Sequence, residues 1–297
     1  MKISYLVPLY NKESYIIDCI ESILLEDNGQ FEIEICIVDD GSTDNSLKIV
    51  QEKYGKNDKV KIAKFSSNKG KNAACNEAFK ISTGDFICVF GADDVVVPGR
   101  TNKLLQMSLN NDKKAVYGGL IAKDEELKKE LYKILPHKQD LYSITMGNGL
   151  SGGCCFIPKK LCYGIFPIPE NLKFEDWWIS YNLVKDHNYV VLDEHVTIYR
   201  IGTQNDCGFY GGDIYQNIKR DYVRHFDCLN RFLIISEDNP FIQKSLDLRN
   251  AFLGKSVNKI LYLKPFDSFS IKIFLYKVFG AKLVCKLQSL YQSFKKF

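Results

Sequence analysis

The stretch ICIVDDGSTDNS, Ile35 to Ser46, decides the fold. Ile35 to Val38 is an apolar, β-prone run. It ends in two aspartates, a glycine and small polar residues, including a third acid, Asp44. Residues of the kind in GSTD stop a strand and start a helix. So much negative charge at a strand end admits three readings: a helix cap, a metal site, or a pocket for a nucleotide base.

Outward from this stretch the same alternation repeats. Ile3 to Val7 is a short strand closed by Pro8, and Phe31 to Val38, Val60 to Phe65 and Asp85 to Phe90 are three more. Between them lie helical patterns. In NKESYIIDCIESILLE the apolar positions Ile16, Ile17, Ile20, Ile23 and Leu24 recur at helical spacing, with Asn11 or Ser14 as cap. STDNSLKIVQEKYG, with Ser42 or Thr43 as cap and Asp44 in its first turn, ends at Gly55; NKGKNAACNEAFKISTG and PGRTNKLLQMSL follow. Strand–helix alternation means parallel strands with crossover helices. Ligands of such sheets bind outside the carboxyl ends of the strands, which here are VDDGSTD and GADD. Beyond Tyr117 the pattern changes. Ala115 to Ile121 reads as a strand, the charged segment KDEELKKELYKILPHKQDLYS as helix or mobile loop, FEDWWISYNLVKDH as a helix and YVVLDEHVTIYRIG as strand. From Asp213 helical patterns dominate. The expected organisation is an α/β domain over 1–212 and a helical extension over 213–297.

The 297 residues, 45% hydrophobic, suffice for a large packed domain with an appendage. The net charge of +4 is mild and asks for no nucleic-acid partner. It is uneven, however: Ala251 to Phe297 holds nine lysines and one acid, Asp267, so a weakly acidic body carries a basic tail. Ten cysteines are scattered with no C-x-x-C pair, which reads as reduced core thiols of a cytosolic protein. MKISYLVPLYNKES is too polar after Pro8 for a signal peptide, and no apolar run reaches membrane-spanning length.

Asp93 and Asp94 repel each other at a strand end, which calls for a positive group; a hard divalent cation fits, and a helix N-cap in front of VVVPGR is the plainer alternative. EDWW likewise reads either as chemistry or as a helix start with acids at its positive end and two tryptophans in the core.

VPLYNKESYI, IVDDGSTD, SNKGKNAACNEAF, GDFICVFGADD, LSGGCCF and FEDWW stand in the order and spacing of family 2 glycosyltransferases of the bacterial cell-surface glycan type, which the chain resembles over roughly residues 1–200. The resemblance implies the GT-A fold, a mostly parallel, Rossmann-like sheet flanked by helices. It implies a hexosyltransferase-type enzyme (EC 2.4) that takes a nucleotide-diphosphate sugar, a UDP-sugar above others, and transfers it with inversion to a glycan or lipid-linked glycan, as in lipopolysaccharide or capsule synthesis. It implies a divalent metal, Mn²⁺ or Mg²⁺. Carried onto this sequence, Pro8 and Tyr10 line the base pocket, Asp40 accepts from the uracil ring N–H, and Asp39 is its partner in the same loop. Lys69, Gly70 and Lys71 border nucleotide or phosphates. Asp93 contacts ribose or metal, and Asp94 coordinates the metal. Asp176 is the general base and Glu175 its neighbour. Gly152 and Gly153 allow close approach of the donor sugar, and Trp177 is either part of the sugar platform or core. Many members carry an acid two places before Asp93, where this chain has Gly91. That departure motivates a rival: a catalytically inactive GT-A scaffold that only binds nucleotide sugar. No histidine follows Arg200 at the place where some members have a metal ligand, and His187, His195 and His225 read as surface or structural.

In the tail, Ile271, Phe274, Leu275, Val278 and Phe279 fall on one side of a helix between spaced lysines. This reads either as a basic amphipathic helix on the anionic inner face of a membrane or as an ordinary terminal helix or oligomer contact.

Overall fold

The computed structural model describes residues 1–202, 214–236, 238–255 and 268–294. The chain divides into two compact units, Met1–Asn205 and Asp206–Phe297; the domain boundary expected at residue 212 lies outside the described residues.

The first unit is built on strands β1 (Lys2–Leu9), β2 (Glu32–Asp39), β3 (Val60–Lys64), β4 (Phe86–Val89), β5 (Val95–Val96), β6 (Ala115–Asp124), β7 (Glu130–Ile134), β8 (Cys155–Pro158) and β9 (Tyr189–Ile201). Its helices are α1 (Ile16–Leu24), α2 (Ser46–Tyr54), α3 (Lys71–Ile81), α4 (Arg100–Leu109), α5 (Leu141–Met146), α6 (Lys159–Cys162) and α7 (Glu175–Lys185). The sheet order is β3-β2-β1-β4-β8-β6-β9-β5, with β7 pairing β6. Pairing is parallel through β3-β2-β1-β4 and between β6 and β9, and antiparallel at β4–β8, β6–β8, β6–β7 and β5–β9. The parallel half is therefore the strand–helix sheet expected from the first hundred residues, and the remainder is mixed.

β1 and β2 are buried over nearly their whole length. Helix α1 buries Ile16, Cys19, Ile20 and Ile23 against the sheet, each isoleucine contributing roughly 1.5–3 kcal/mol by leaving water. All nine cysteines among the described residues are buried free thiols. Cys207 lies outside them.

Several local expectations are corrected. Pro8 does not close β1: it stays in the strand, opposite Val38. Neither Asn11 nor Ser14 caps α1, whose N-cap Tyr15 makes no side-chain cap. Helix α2 starts at Ser46 rather than behind Ser42 or Thr43, and Asp44 Oδ1 accepts the Ser46 N–H at 2.9 Å. The hydroxyls and carboxamide of this region instead stitch two loops together. Asn11 Oδ1 accepts the Thr43 N–H at 2.8 Å, and Ser42 Oγ accepts the Asn11 N–H at 3.1 Å. The charged segment after β6 contains an exposed strand, β7, as the second arm of a hairpin turning at Leu127, which has φ 58°. Its alternation of charge with Leu131 and Ile134 satisfies a strand with no buried face as well as a helix.

In the second unit, α8 (Ile214–Ile235) and α9 (Pro240–Phe252) are followed by α10 (Ser268–Phe279) and α11 (Ala281–Phe294). Leu248, Ala251, Phe252, Tyr276, Ala281, Val284 and Cys285 form its core. The tail helix expected from Ile271, Phe274, Leu275, Val278 and Phe279 is α10, and α11 follows it after Gly280, which has φ 75°. Among the described residues no helix is long and apolar enough to cross a membrane.

Candidate active site

The carboxyl ends of β1, β2 and β4 open on one edge, as parallel strands require. At the end of β2, Asp39 and Asp40 are both buried. Asp40 is committed to the neighbouring loop: Oδ1 accepts the Lys69 N–H at 2.6 Å and Oδ2 the Gly70 N–H at 2.9 Å. Gly41, at φ 72°, lets this loop come close, since a Cβ there would lie 2.7 Å from the Asn68 nitrogen. Asp39 Oδ2 accepts the Ser42 N–H at 3.1 Å, whereas its Oδ1 is buried without a hydrogen-bond partner among the described residues. Lys69 and Lys71 are exposed beside this loop, Pro8 is buried in its strand, and Tyr10 at the end of β1 is 42% exposed, its ring accessible for stacking.

The Asp93–Asp94 pair follows β4. Asp94 is 5% exposed, and burial, with the Asp93 charge beside it, pushes its carboxyl up to about 8. The Arg200 N–H donates to Asp94 Oδ1 at 3.2 Å, and the Arg200 guanidinium donates to the Asp93 carbonyl at 2.8 Å. The same guanidinium reaches Asp18 and lies over the Tyr15 ring, so the end of β9 is bolted to this loop. Asp93 Oδ2 is paired with Lys12 Nζ at 2.7 Å. A Cβ at Gly91 would stand 2.7 Å from Asp94 Oδ2 and 3.1 Å from Asp93 Oδ1. A side chain at position 91 would therefore start against the ends of both carboxylates.

Across from this pair, Glu175 and Asp176 open α7. Burial, then the Glu175 charge, pushes the Asp176 carboxyl up to about 7, against the opposing pull of Lys71, the Trp177 N–H and the Asn148 side chain. The Trp177 N–H donates to Asp176 Oδ1 at 2.8 Å. Lys71, half exposed, pairs with Glu175; its partial desolvation lowers the ammonium, and Glu175, with Asp176 behind it, more than reverses this. The loop that carries Asn148 is held by Gln139, which accepts the Gly149 N–H at 2.8 Å and donates to the Gly147 carbonyl at 3.0 Å, while Asn148 Nδ2 is buried without a hydrogen-bond partner among the described residues.

A short turn, Gly152–Cys154, separates the two acid centres. A Cβ at Gly152 would lie 2.8 Å from Asp176 Cβ, and one at Gly153 would lie 3.6 Å from Asp94 Oδ2. The turn is held from beneath by buried Arg100, which donates to the Gly153 carbonyl at 2.7 Å and to Thr197. Trp177 is 1% exposed with its indole N–H on the Ile144 carbonyl at 2.7 Å, so of its two readings, sugar platform and core, the structure has it in the core. Trp178 is buried likewise.

Among the described residues no cluster of three His, Cys, Asp or Glu side chains forms a metal cage. Two adjacent carboxylates at a cleft edge still fit a cation that takes its remaining ligands from a bound diphosphate and water. Sequence reasoning missed Lys12, Asn148 and the clamp role of Arg200. Only Lys12 left a signal, as a cation directly after the first strand.

Comparison with known proteins agrees with this geometry. The profile of Glycosyl transferase family 2 matches residues 4–162. An uncharacterised glycosyltransferase of Nostoc sp. (strain PCC 7120) is 29% identical over 220 residues, 69% of this chain and 66% of that protein. The chondroitin synthase of Pasteurella multocida is 26% identical over 87% of this chain but only 30% of its own length. Among solved structures, Staphylococcus aureus TarS 1–349 in complex with UDP-GlcNAc superposes with a TM-score of 0.58 at 21% identity, over 89% of this chain and 76% of that one. This likeness bears on the fold, which is GT-A.

Proposed function

The chain belongs to glycosyl transferase family 2, and on that premise we propose that it transfers a sugar from a UDP-sugar to a glycan or lipid-linked glycan hydroxyl with inversion. The observation that carries the reading is the Gly152–Cys154 turn, which brings glycines against Asp176 on one side and Asp94 on the other. A donor seated on that turn has a base above its sugar and an acid pair beside its diphosphate.

Asp176, ionised, takes the proton of the acceptor hydroxyl as its oxygen attacks the anomeric carbon; the bond to the diphosphate oxygen breaks on the opposite face and UDP leaves with the electron pair. A carboxyl held near 7 is a stronger base than an ordinary one, and the Trp177 N–H fixes one oxygen so that the other faces the acceptor. Glu175 and Lys71 hold the charge balance around it. Asp94, with Asp93, would hold Mn²⁺ or Mg²⁺, which supplies positive charge to the departing diphosphate when bound. Tyr10 stacks on the base, with Pro8 behind it, and Asp40 and Asp39 order the loop at the uracil edge. The UDP-GlcNAc complex of TarS supports a UDP-sugar donor. The inactive-scaffold alternative keeps its motive at Gly91, and donor turnover decides between the two.

A panel of UDP-sugars and one GDP-sugar, with and without Mn²⁺ or Mg²⁺, tests this in wild type, Asp94→Ala and Asp176→Ala. Metal-dependent UDP-sugar binding lost in Asp94→Ala, and binding without turnover in Asp176→Ala, are the expected results. Turnover surviving in Asp176→Ala refutes the base assignment, and failure of every donor to bind refutes the enzyme.

The second unit supports attachment to an anionic membrane surface, where a lipid-linked acceptor would lie. Ile271, Phe274 and Val278 along α10 and Leu283 and Leu287 along α11 are exposed, and residues 268–294 contain four lysines and no acid. Co-sedimentation with phosphatidylglycerol vesicles but not phosphatidylcholine ones checks this, and equal recovery with both sets it aside.

A further inference from the structure

Lys12 is aimed at the acid pair by its backbone. Its N–H donates to Ser46 Oγ at 2.7 Å, and its carbonyl accepts from Tyr15 and Ile16, each at 3.0 Å. The preceding Asn11, at φ 51°, is tied to the β2–α2 loop through Thr43. From this fixed base the ammonium reaches Asp93 Oδ2 at 2.7 Å, with both side chains largely shielded, at 16% and 17% exposure. Among the described residues no cation pairs directly with Asp94, which accepts the Arg200 backbone N–H instead.

We propose that Lys12 is the resident counter-ion of the Asp93–Asp94 pair, that it competes with the divalent cation for Asp93, and that once displaced it turns to the diphosphate of the donor. The inference rests on the reading of Asp93 and Asp94 as the metal pair. Its consequence is cooperativity. A metal arriving alone must break the ion pair, and so must a diphosphate arriving alone. Whichever comes second finds it already broken, so each ligand favours the other, and the coupling is reciprocal. A lysine suits this role because it is a compact charge on a flexible stem, able to swing between partners without a change of backbone.

The test is Lys12→Met, with Lys12→Arg as the charge-retaining control and a thermal melt to establish folding. Mn²⁺ binding is followed by the electron paramagnetic resonance of free Mn²⁺, without nucleotide and with saturating UDP. UDP binding is followed by calorimetry with and without Mn²⁺. Removing the competing ammonium is expected to tighten Mn²⁺ alone by about two- to fivefold, the scale of a partly shielded ion pair. It is also expected to weaken UDP in the presence of Mn²⁺, so that the coupling factor between them falls, while Lys12→Arg stays near wild type. Mn²⁺ affinity that is unchanged or weaker in Lys12→Met, or undetectable in both proteins, overturns the proposal. UDP binding that ignores Mn²⁺ in wild type and variant alike instead removes the metal reading on which it rests.

Discussion

Gly152→Ala adds one methyl group where the turn comes closest to the base. Gly152 has an unstrained backbone, so alanine costs nothing in φ, and the whole effect comes from the 2.8 Å separation between the new Cβ and Asp176 Cβ. Ordinary contact begins near 3.4 Å, so Asp176 or the turn must yield by at least 0.6 Å. The turn is anchored by Arg100 through the Gly153 carbonyl, and Asp176 sits at the first turn of α7, whose next residue, Trp177, is locked in the core. Displacement of the carboxylate is therefore the easier response. A misplacement of about 1 Å in a reacting group costs on the order of a hundredfold in rate, so about 0.6 Å corresponds to roughly tenfold or more in kcat. The assay is UDP release from the preferred donor, with UDP affinity by calorimetry as control. We expect kcat to fall by about 10- to 100-fold with UDP affinity within twofold. A kcat within threefold of wild type would show that the turn does not meet the base, and the reasoning that joins the two acid centres through it fails.

The ionisable groups and the crowded glycine at 91 set the remaining expectations. The Asp176 carboxyl, raised to about 7, acts as a base only when ionised, so log kcat/KM should climb with unit slope up to about pH 7 and level above it; a limb near pH 4 refutes the role. The same raised value means the folded chain holds that proton more tightly than the unfolded one. The stabilisation is present below 3.8 and lost as pH rises through 7, so Asp176→Asn should raise Tm at pH 8 more than at pH 4. Glu34 shows the opposite sign: burial pushes it up, but Lys61, Ser4 and Thr83 outweigh this and hold it at about 2, so its stability is present above 4.5 and lost as pH falls through 2. Glu34→Gln should cost about 2 kcal/mol in urea unfolding at pH 7, with little left of the difference near pH 2. Finally, Gly91→Asp, which restores the acid two places before Asp93, should lower stability by about 1–3 kcal/mol in the absence of metal, because it adds a third carboxylate beside Asp93 and buried Asp94; unchanged urea unfolding in this variant contradicts that account.

The sequence by itself determined the elements of the parallel half and which loops stand at the carboxyl edge of its strands. Apolar runs such as Ile35 to Val38 and helical spacing such as Ile16, Ile20 and Ile23 are local patterns, and a strand's carboxyl end stands wherever the strand does. It also drew attention to Asp93 and Asp94, because adjacent carboxylates at a strand end are costly, whereas Glu175 and Asp176 stood out only through the family resemblance. The tertiary structure decided what each of them touches. That Asp40 is tied to the Lys69–Gly70 backbone, that Lys12 sits on Asp93, that Trp177 is core, and that Gly152 abuts Asp176 are contacts between residues up to about eighty positions apart. No periodicity records them, since they arise only when the sheet brings its loops to one edge. The β7 hairpin escaped the sequence for a related reason: a strand exposed along its whole length buries no face and leaves no strict alternation.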